Sequence, residues 1–195
     1  MNALSIIGDV YLETVRRENM WRNTYRDSYP FIPVNMDDAL STIEFASNLI
    51  KAPETNMGKF LDVGCGIGNV LALAEYCRIP DIYGIEIDES LKRRALYNSV
   101  PLPDTLPHSE FGSDSPLIFN LDAFDFKFYN EMDIIYYYCP MQKLEKQLRL
   151  EALIEKKMKG GALLIAFMKQ DMTITKSKRF RKVSCSYPIW QKGLA

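Results

Sequence analysis

The sequence predicts an α/β fold in which a doubly wound, mainly parallel sheet follows an N-terminal helical extension. Three observations predict it. Short apolar runs alternate with amphipathic, helix-periodic stretches between residues 60 and 167, the order that yields parallel strands joined by right-handed crossovers. A glycine-rich turn, Gly64-Cys65-Gly66-Ile67-Gly68, joins the first apolar run to the helix after it. The composition is that of a globular chain: 195 residues, 47% hydrophobic and 25% charged. At this length roughly 70% of the surface exposed by the unfolded chain is buried on folding, so the core needs neither disulfides nor a structural metal.

The elements follow in order. Leu4 to Tyr25 is amphipathic and reads as a helix, with Ile6, Ile7, Val10, Leu12 and Val15 apolar, broken by Tyr29-Pro30-Phe31-Ile32-Pro33. Asn35 is the predicted N-cap of a second helix. Asp37 and Asp38 complement its dipole, and Leu40, Ile43, Ala46, Leu49 and Ile50 recur at helical spacing before Pro53. Residues 1–56 are thus assigned to the extension and 57–195 to the α/β domain. Phe60 to Val63 is a strand, Val70 to Cys77 a buried helix and Ile82 to Ile87 a second strand. Glu89 to Tyr97 is a helix expected to turn Leu91, Ala95 and Leu96 inward. Residues 100–116, with Pro101, Pro103, Pro107 and Pro116, read as an irregular, mobile insertion in place of a crossover helix. Leu117–Leu121, Asp133–Tyr138 and Ala162–Phe167 are further strands, and Lys143 to Lys159 is a charged surface helix stopped by Gly160-Gly161. Arg181–Ser186 and Ile189–Lys192 are two more strands, turning near Pro188.

Charge and cysteine usage exclude several function classes. Lys+Arg 24 against Asp+Glu 25 leaves a net charge of −1, which argues against a general polyanion binder. Cys65, Cys77, Cys139 and Cys185 form no C-x-x-C pair, and with His108 the only histidine there is no ligand set for a metal; a reduced, cytoplasmic setting is expected. No leader pattern and no apolar run of spanning length is present, so the chain reads as soluble, unprocessed and without a membrane partner. His108, isolated in the insertion, reads as solvent-facing more readily than as a base. Lys176, Lys178, Arg179, Arg181 and Lys182 form a basic cluster that suits phosphate contacts or a lysine-protected edge strand equally. Trp21, Arg22, Tyr25, Arg26 and Tyr29 fit a cap over a cleft or the packing of an N-terminal helix.

The glycine turn brings backbone N–H groups close to a ligand because no Cβ obstructs the approach. A dinucleotide fingerprint needs a third glycine at position 69, which is Asn69, and no Walker lysine is present. The segment Phe60-Leu61-Asp62-Val63-Gly64-Cys65-Gly66-Ile67-Gly68-Asn69 instead resembles motif I of the class I S-adenosylmethionine-dependent methyltransferases. Four further segments match that family in order: Tyr83-Gly84-Ile85-Glu86-Ile87-Asp88, Asn120-Leu121-Asp122-Ala123-Phe124, Asp133 to Pro140, and Met158 to Ile165. The resemblance implies a Rossmann-like sheet of seven strands with the last antiparallel, and S-adenosylmethionine as cofactor.

It implies roles for particular residues. Gly64, Cys65, Gly66 and Gly68 form the turn, and Asp62 organises it and the methionine end of the ligand. Glu86 accepts from the vicinal ribose hydroxyls, a geometry suited to a carboxylate. Asp122 and the Ala123 N–H meet the adenine, with Ile87, Leu121 and Phe124 as apolar surface. Asp88 and Asp125 read as solvated loop carboxylates. A sulfonium is favoured over an aromatic face, for which Tyr136, Tyr137 and Tyr138 are candidates. Strand alternation makes Tyr137 core and leaves Tyr136 or Tyr138 to see ligand. The acceptor is expected at the end of the fourth strand, where Tyr136, Tyr138, Cys139 and Pro140 are the candidates. Tyr138-Cys139-Pro140-Met141 does not match the N/D/S-P-P-Y/F/W of amino-methylating nucleic-acid enzymes. The Cys-Pro order also departs from the Pro-Cys of C5-pyrimidine enzymes, so Cys139 reads as a buried, inert thiol. The expected function is methyl transfer, to a small molecule ahead of protein or RNA. The alternative is a non-catalytic S-adenosylmethionine-binding subunit of a hetero-oligomer.

Overall fold

A computed structural model describes residues 35–50, 58–98, 116–167 and 174–194. The predicted helix 4–25, the Trp21 to Tyr29 cluster and the insertion carrying His108 lie outside the described residues. The elements are α1 (Met36–Ile50), β1 (Lys59–Val63), α2 (Asn69–Tyr76), β2 (Asp81–Glu86), α3 (Glu89–Asn98), β3 (Leu117–Asn120), β4 (Ile134–Tyr137), α4 (Leu144–Lys157), β5 (Leu163–Ala166), β6 (Phe180–Lys182) and β7 (Ile189–Lys192). Short 3-10 turns lie at Ala123–Asp125 and Ile174–Lys176.

The strands form one seven-stranded sheet in the order β3-β2-β1-β4-β5-β7-β6. β1 to β5 are parallel, and β7 runs antiparallel to both β5 and β6. This is the doubly wound, mainly parallel arrangement the sequence predicted, last strand included. β4 and β5 are buried throughout, as expected of parallel strands covered on both faces. One face packs Phe60, Ile82, Ile134, Tyr136 and Ile165 against α1 and α2; the other packs Leu61, Ile85, Ile135, Tyr137 and Leu164 against α4 and the segment holding Phe126, Tyr129 and Met132.

Local chemistry sets the boundaries. Asn35 caps α1 as predicted, its Oδ1 accepting from Asp37 N at 3.1 Å and Asp38 N at 3.2 Å. Leu40, Ile43 and Ala46 are buried, but Leu49 is exposed. Of the three residues expected inward on α3, Ala95 is buried and Leu91 half-buried, but Leu96 is exposed. Neighbouring residues on a helix point about 100° apart, so once Ala95 faces the glycine turn, Leu96 is rotated into solvent. β6 stops at Lys182 instead of Ser186, because Ser184 Oγ accepts from Ser186 N and Tyr187 N and closes a local turn. Lys192 on β7 reaches back to the carbonyls of Glu155 and Met158, placing a cation at the C-terminal end of α4.

Candidate cofactor site

The site is assembled where β1 ends. Gly64 N and Cys65 N both donate to Ile85 O at 2.9 Å, so the chain leaves β1 by folding over the end of β2. It then passes through left-handed conformations at Gly64 (φ +82), Gly66 (φ +55) and Gly68 (φ +84). Gly68 is doubly required, since a Cβ there would stand 3.1 Å from Ala95 Cβ and 3.2 Å from Ala95 Cα. Beneath the turn the Cys65 side chain rests on Gly84 of β2.

Glu86, the last residue of β2, fastens this turn. Its Oε2 accepts from Gly66 N at 2.8 Å and its Oε1 from Asp88 N at 2.9 Å. Each oxygen keeps a lone pair beyond these bonds, so two acceptor positions remain on one carboxylate for an adjacent pair of hydroxyl donors. Burial raises the pKa of Glu86 above the ordinary carboxylate value, partly offset by the N–H bonds from Asp88 and Gly66. Asp62, buried on β1, is raised well above its usual value by burial first and by the Glu86 charge second. The same burial, with Asp62 and Glu86 adding to it, pushes the Cys65 thiol up and keeps it protonated. The turn thus holds two desolvated carboxyl groups whose charged forms a cation would favour.

No protein-family model and no curated protein matches the chain. Solved structures do. The RNA methyltransferase from Salinibacter ruber, in complex with S-adenosyl-L-homocysteine, aligns with a TM-score of 0.53 at 14% identity over 83% of this chain and 92% of that one. The chain has the class I methyltransferase fold. CalS10, an amino pentose methyltransferase from Micromonospora echinaspora solved with SAM bound, aligns at 0.51 with 18% identity over 80% of this chain and 55% of that one. The plantazolicin methyltransferase BpumL, solved in complex with SAH, aligns at 0.50 with 15% identity over 81% of this chain and 51% of that one. The present chain therefore spans about half the length of these last two.

Within this methyltransferase fold the remaining predicted residues fall into two groups. Asp88 is a helix cap, its Oδ1 accepting from Ser90 N at 2.8 Å, Ser90 Oγ at 2.6 Å and Leu91 N at 3.3 Å. That corrects its reading as a solvated loop acid and separates its role from that of Glu86. Asp122 accepts from Phe124 N at 3.0 Å, and the buried Ala123 receives the Tyr129 hydroxyl on its carbonyl at 2.8 Å. Sequence reasoning missed Asn120, whose side-chain amide donates to Glu86 O at 2.9 Å and Ile87 O at 3.0 Å. Its signal is positional: Asn120 pairs with Glu86 across β2 and β3.

At the end of β4 the four acceptor-side candidates have different surroundings. Tyr136 is 1% exposed, its ring lies 5.7 Å from Phe167, and its hydroxyl has no hydrogen-bond partner among the described residues. Tyr137 is core on the opposite face, as alternation required. Tyr138 is 40% exposed and stacks on Phe167 at 6.1 Å and 22°. Cys139 is buried in a left-handed conformation (φ +40) and its thiol meets Phe167 O at 3.5 Å. Pro140 is half-buried beside the glycine turn, with its Cβ 3.0 Å from where a Cβ on Gly64 would stand. Behind them a buried pair went unforeseen: Gln147 Oε1 accepts from Met141 N, Gln147 Nε2 donates to Glu151 Oε1, and Glu151 Oε2 accepts from Ile174 N. These bonds tie the segments following β4 and β5 to α4.

Proposed function

We propose that the chain binds S-adenosylmethionine at the glycine turn and transfers its methyl group to an acceptor at the end of β4. The observation that carries this reading is the Glu86 carboxylate, which fastens Gly66 and Asp88 while keeping acceptor positions for a diol. The chemistry of the donor set fits the ligand: Glu86 for the ribose, Asp62 beside the turn for the cationic methionine end, and Asp122, Ala123, Ile87 and Phe124 for the base. Cys65 packs the turn onto β2 instead of meeting a reacting atom, and Gly64, Gly66 and Gly68 supply its shape.

S-adenosylmethionine supplies an activated methyl group on a good leaving group, so the protein's part is alignment and exclusion of water. Tyr138, accessible at the end of β4, is the acceptor-side contact in this reading. Tyr136, buried behind it, together with Cys139 and Pro140, shapes the pocket wall. The Gln147–Glu151 pair holds the segment at Met141 in place. A cation bound beside Asp62 and Glu86 favours their ionised forms and opposes the upward shift that burial gives their pKa values.

The test is calorimetric titration of the purified chain with S-adenosylhomocysteine beside NAD, followed by measurement of S-adenosylmethionine turnover with candidate acceptors. Saturable binding of S-adenosylhomocysteine without NAD binding is the expected result. A folded protein that binds neither would withdraw the proposal. Binding without turnover under any acceptor would favour the non-catalytic subunit.

A further inference from the structure

We propose that the outer face of α4 and the adjoining sheet edge bind a nucleic-acid strand through its phosphate backbone. The net charge of −1 conceals a sharp division along the chain. Residues 143–195 hold 13 Lys and Arg against 4 Asp and Glu, whereas residues 1–142 hold 11 against 21. Among the described residues the basic stretch forms α4, β6 and β7 and the turns beside them.

On α4 the buried side is Gln147, Leu150, Glu151 and Ile154. Lys146, Arg149, Lys156 and Lys157 recur at helical spacing outside that set, with Arg149, Lys156 and Lys157 exposed. Two of the acids in this stretch are turned inward or engaged elsewhere. Glu151 is buried, and Glu155 is taken by Ser177 Oγ at 2.7 Å and Arg179 at 3.6 Å. Glu145 sits in the first turn of α4, and Asp171 lies outside the described residues. On β6 the face shared with Phe180 and α4 adds the exposed Lys182, 5.9 Å from the centroid of the Trp190 ring.

Protection of an edge strand does not account for this arrangement. Lysines on β6 would serve that purpose, but α4 is the crossover between β4 and β5, away from the edge, and it carries the same charge. A bilayer is disfavoured because an interfacial helix needs a free apolar face, and that of α4 is held against the sheet. The stripe also leads to the cofactor edge. Arg149 stands 5.4 Å over the Phe124 ring, beside Asp122 and Asp125, where the adenine is proposed to lie. A strand held along α4, about 21 Å long at 1.5 Å per residue, would reach the mouth near Tyr138. The binding surface stands without the methyl-transfer reading; with it, the acceptor class becomes a nucleic acid in place of the small molecule suggested by total charge.

The experiment is fluorescence anisotropy of a labelled single-stranded RNA with the full chain across a salt series. About five phosphate contacts give a logarithmic salt slope of about −3.5, roughly a 100-fold loss of affinity between about 50 and about 200 mM KCl. The combined variant Lys146→Gln, Arg149→Gln, Lys156→Gln, Lys157→Gln should weaken binding at least about tenfold and flatten the slope, while Lys92→Gln with Arg93→Gln on α3 changes neither. The proposal is overturned by absence of binding at low salt, by binding that ignores salt, by undiminished binding in the α4 variant, or by capture on phosphatidylserine vesicles but not on RNA. Titration with S-adenosylhomocysteine on the same preparation separates the two readings: its failure with RNA binding intact removes the cofactor assignment and leaves the surface.

Discussion

Replacing Glu86 with glutamine removes a charge while keeping the shape of the side chain. In the native site the carboxylate accepts from Gly66 N and Asp88 N. An amide oxygen takes over one of these bonds, and the amide nitrogen then faces the other N–H as a second donor, leaving it unsatisfied at a cost of about 1–3 kcal/mol. Against that, the variant escapes the desolvation of a carboxylate and its repulsion with Asp62, which narrows the expected net loss of stability to about 1–2 kcal/mol. Ligand binding suffers more. Two charge-assisted acceptors for a ribose diol become one neutral acceptor and one donor, a loss of about 1.5–3 kcal/mol, or roughly tenfold to 100-fold in Kd. Titration calorimetry with S-adenosylhomocysteine and urea unfolding on one preparation measure both effects. An unchanged Kd alongside a lowered urea midpoint would show that Glu86 only fastens the turn, and the assignment of the ribose to it would be wrong.

Other outcomes follow from the same geometry. Gly68→Ala and Gly161→Ala both force a left-handed alanine, costing about 1–2 kcal/mol, but only the former meets backbone, at Ala95; its melting temperature should fall clearly further than that of Gly161→Ala, whose nearest neighbour is Leu194 Cδ2 at 3.7 Å. Asp62 and Glu86 have folded-state pKa values above their unfolded ones, so the folded chain holds more protons. The stability of the ligand-free protein should therefore decline as pH rises from about 4 through the raised values, and Asp62→Asn should remove part of that slope in urea titrations at several pH values. Calorimetry in buffers of different ionisation enthalpy should show proton release when a cationic ligand binds; uptake would contradict the site's charge logic. Gln147→Ala leaves Met141 N without its acceptor and takes one donor from Glu151, and should lower stability by about 1–3 kcal/mol, read from urea midpoints.

Where period and residue type agree, the fold was legible from the chain. Apolar runs at Phe60, Ile134 and Leu163 became central strands, and Asn35 capped its helix, because each depends on local pattern alone. The glycine turn and the strand-end carboxylate that fastens it were legible for a similar reason: glycines at alternate positions and an acid at the end of the next apolar run leave a compact trace. Asn120 and the Gln147–Glu151 pair were not, because their meaning lies in neighbours distant in sequence. Glu151 in particular sits among lysines and reads as a surface acid, yet its position four residues after Gln147 and one after Leu150 places it on the buried side. Leu96 failed in the opposite sense, an apolar residue whose helix docks through the smaller Ala95.

The packing of Cys65 on Gly84 has a consequence for how this chain tolerates change over generations. A Cβ at position 84 would lie 2.9 Å from Cys65 Sγ and 3.0 Å from Leu71 Cδ1. Volume gained on the second strand must accordingly be surrendered by the turn or by the helix behind it, and the three positions are inherited as one unit. Alanine at 84 is expected to be tolerated best alongside a smaller residue at 65 and a shorter one at 71, and a lineage in which both have already shrunk acquires the freedom to lose Gly84 afterwards.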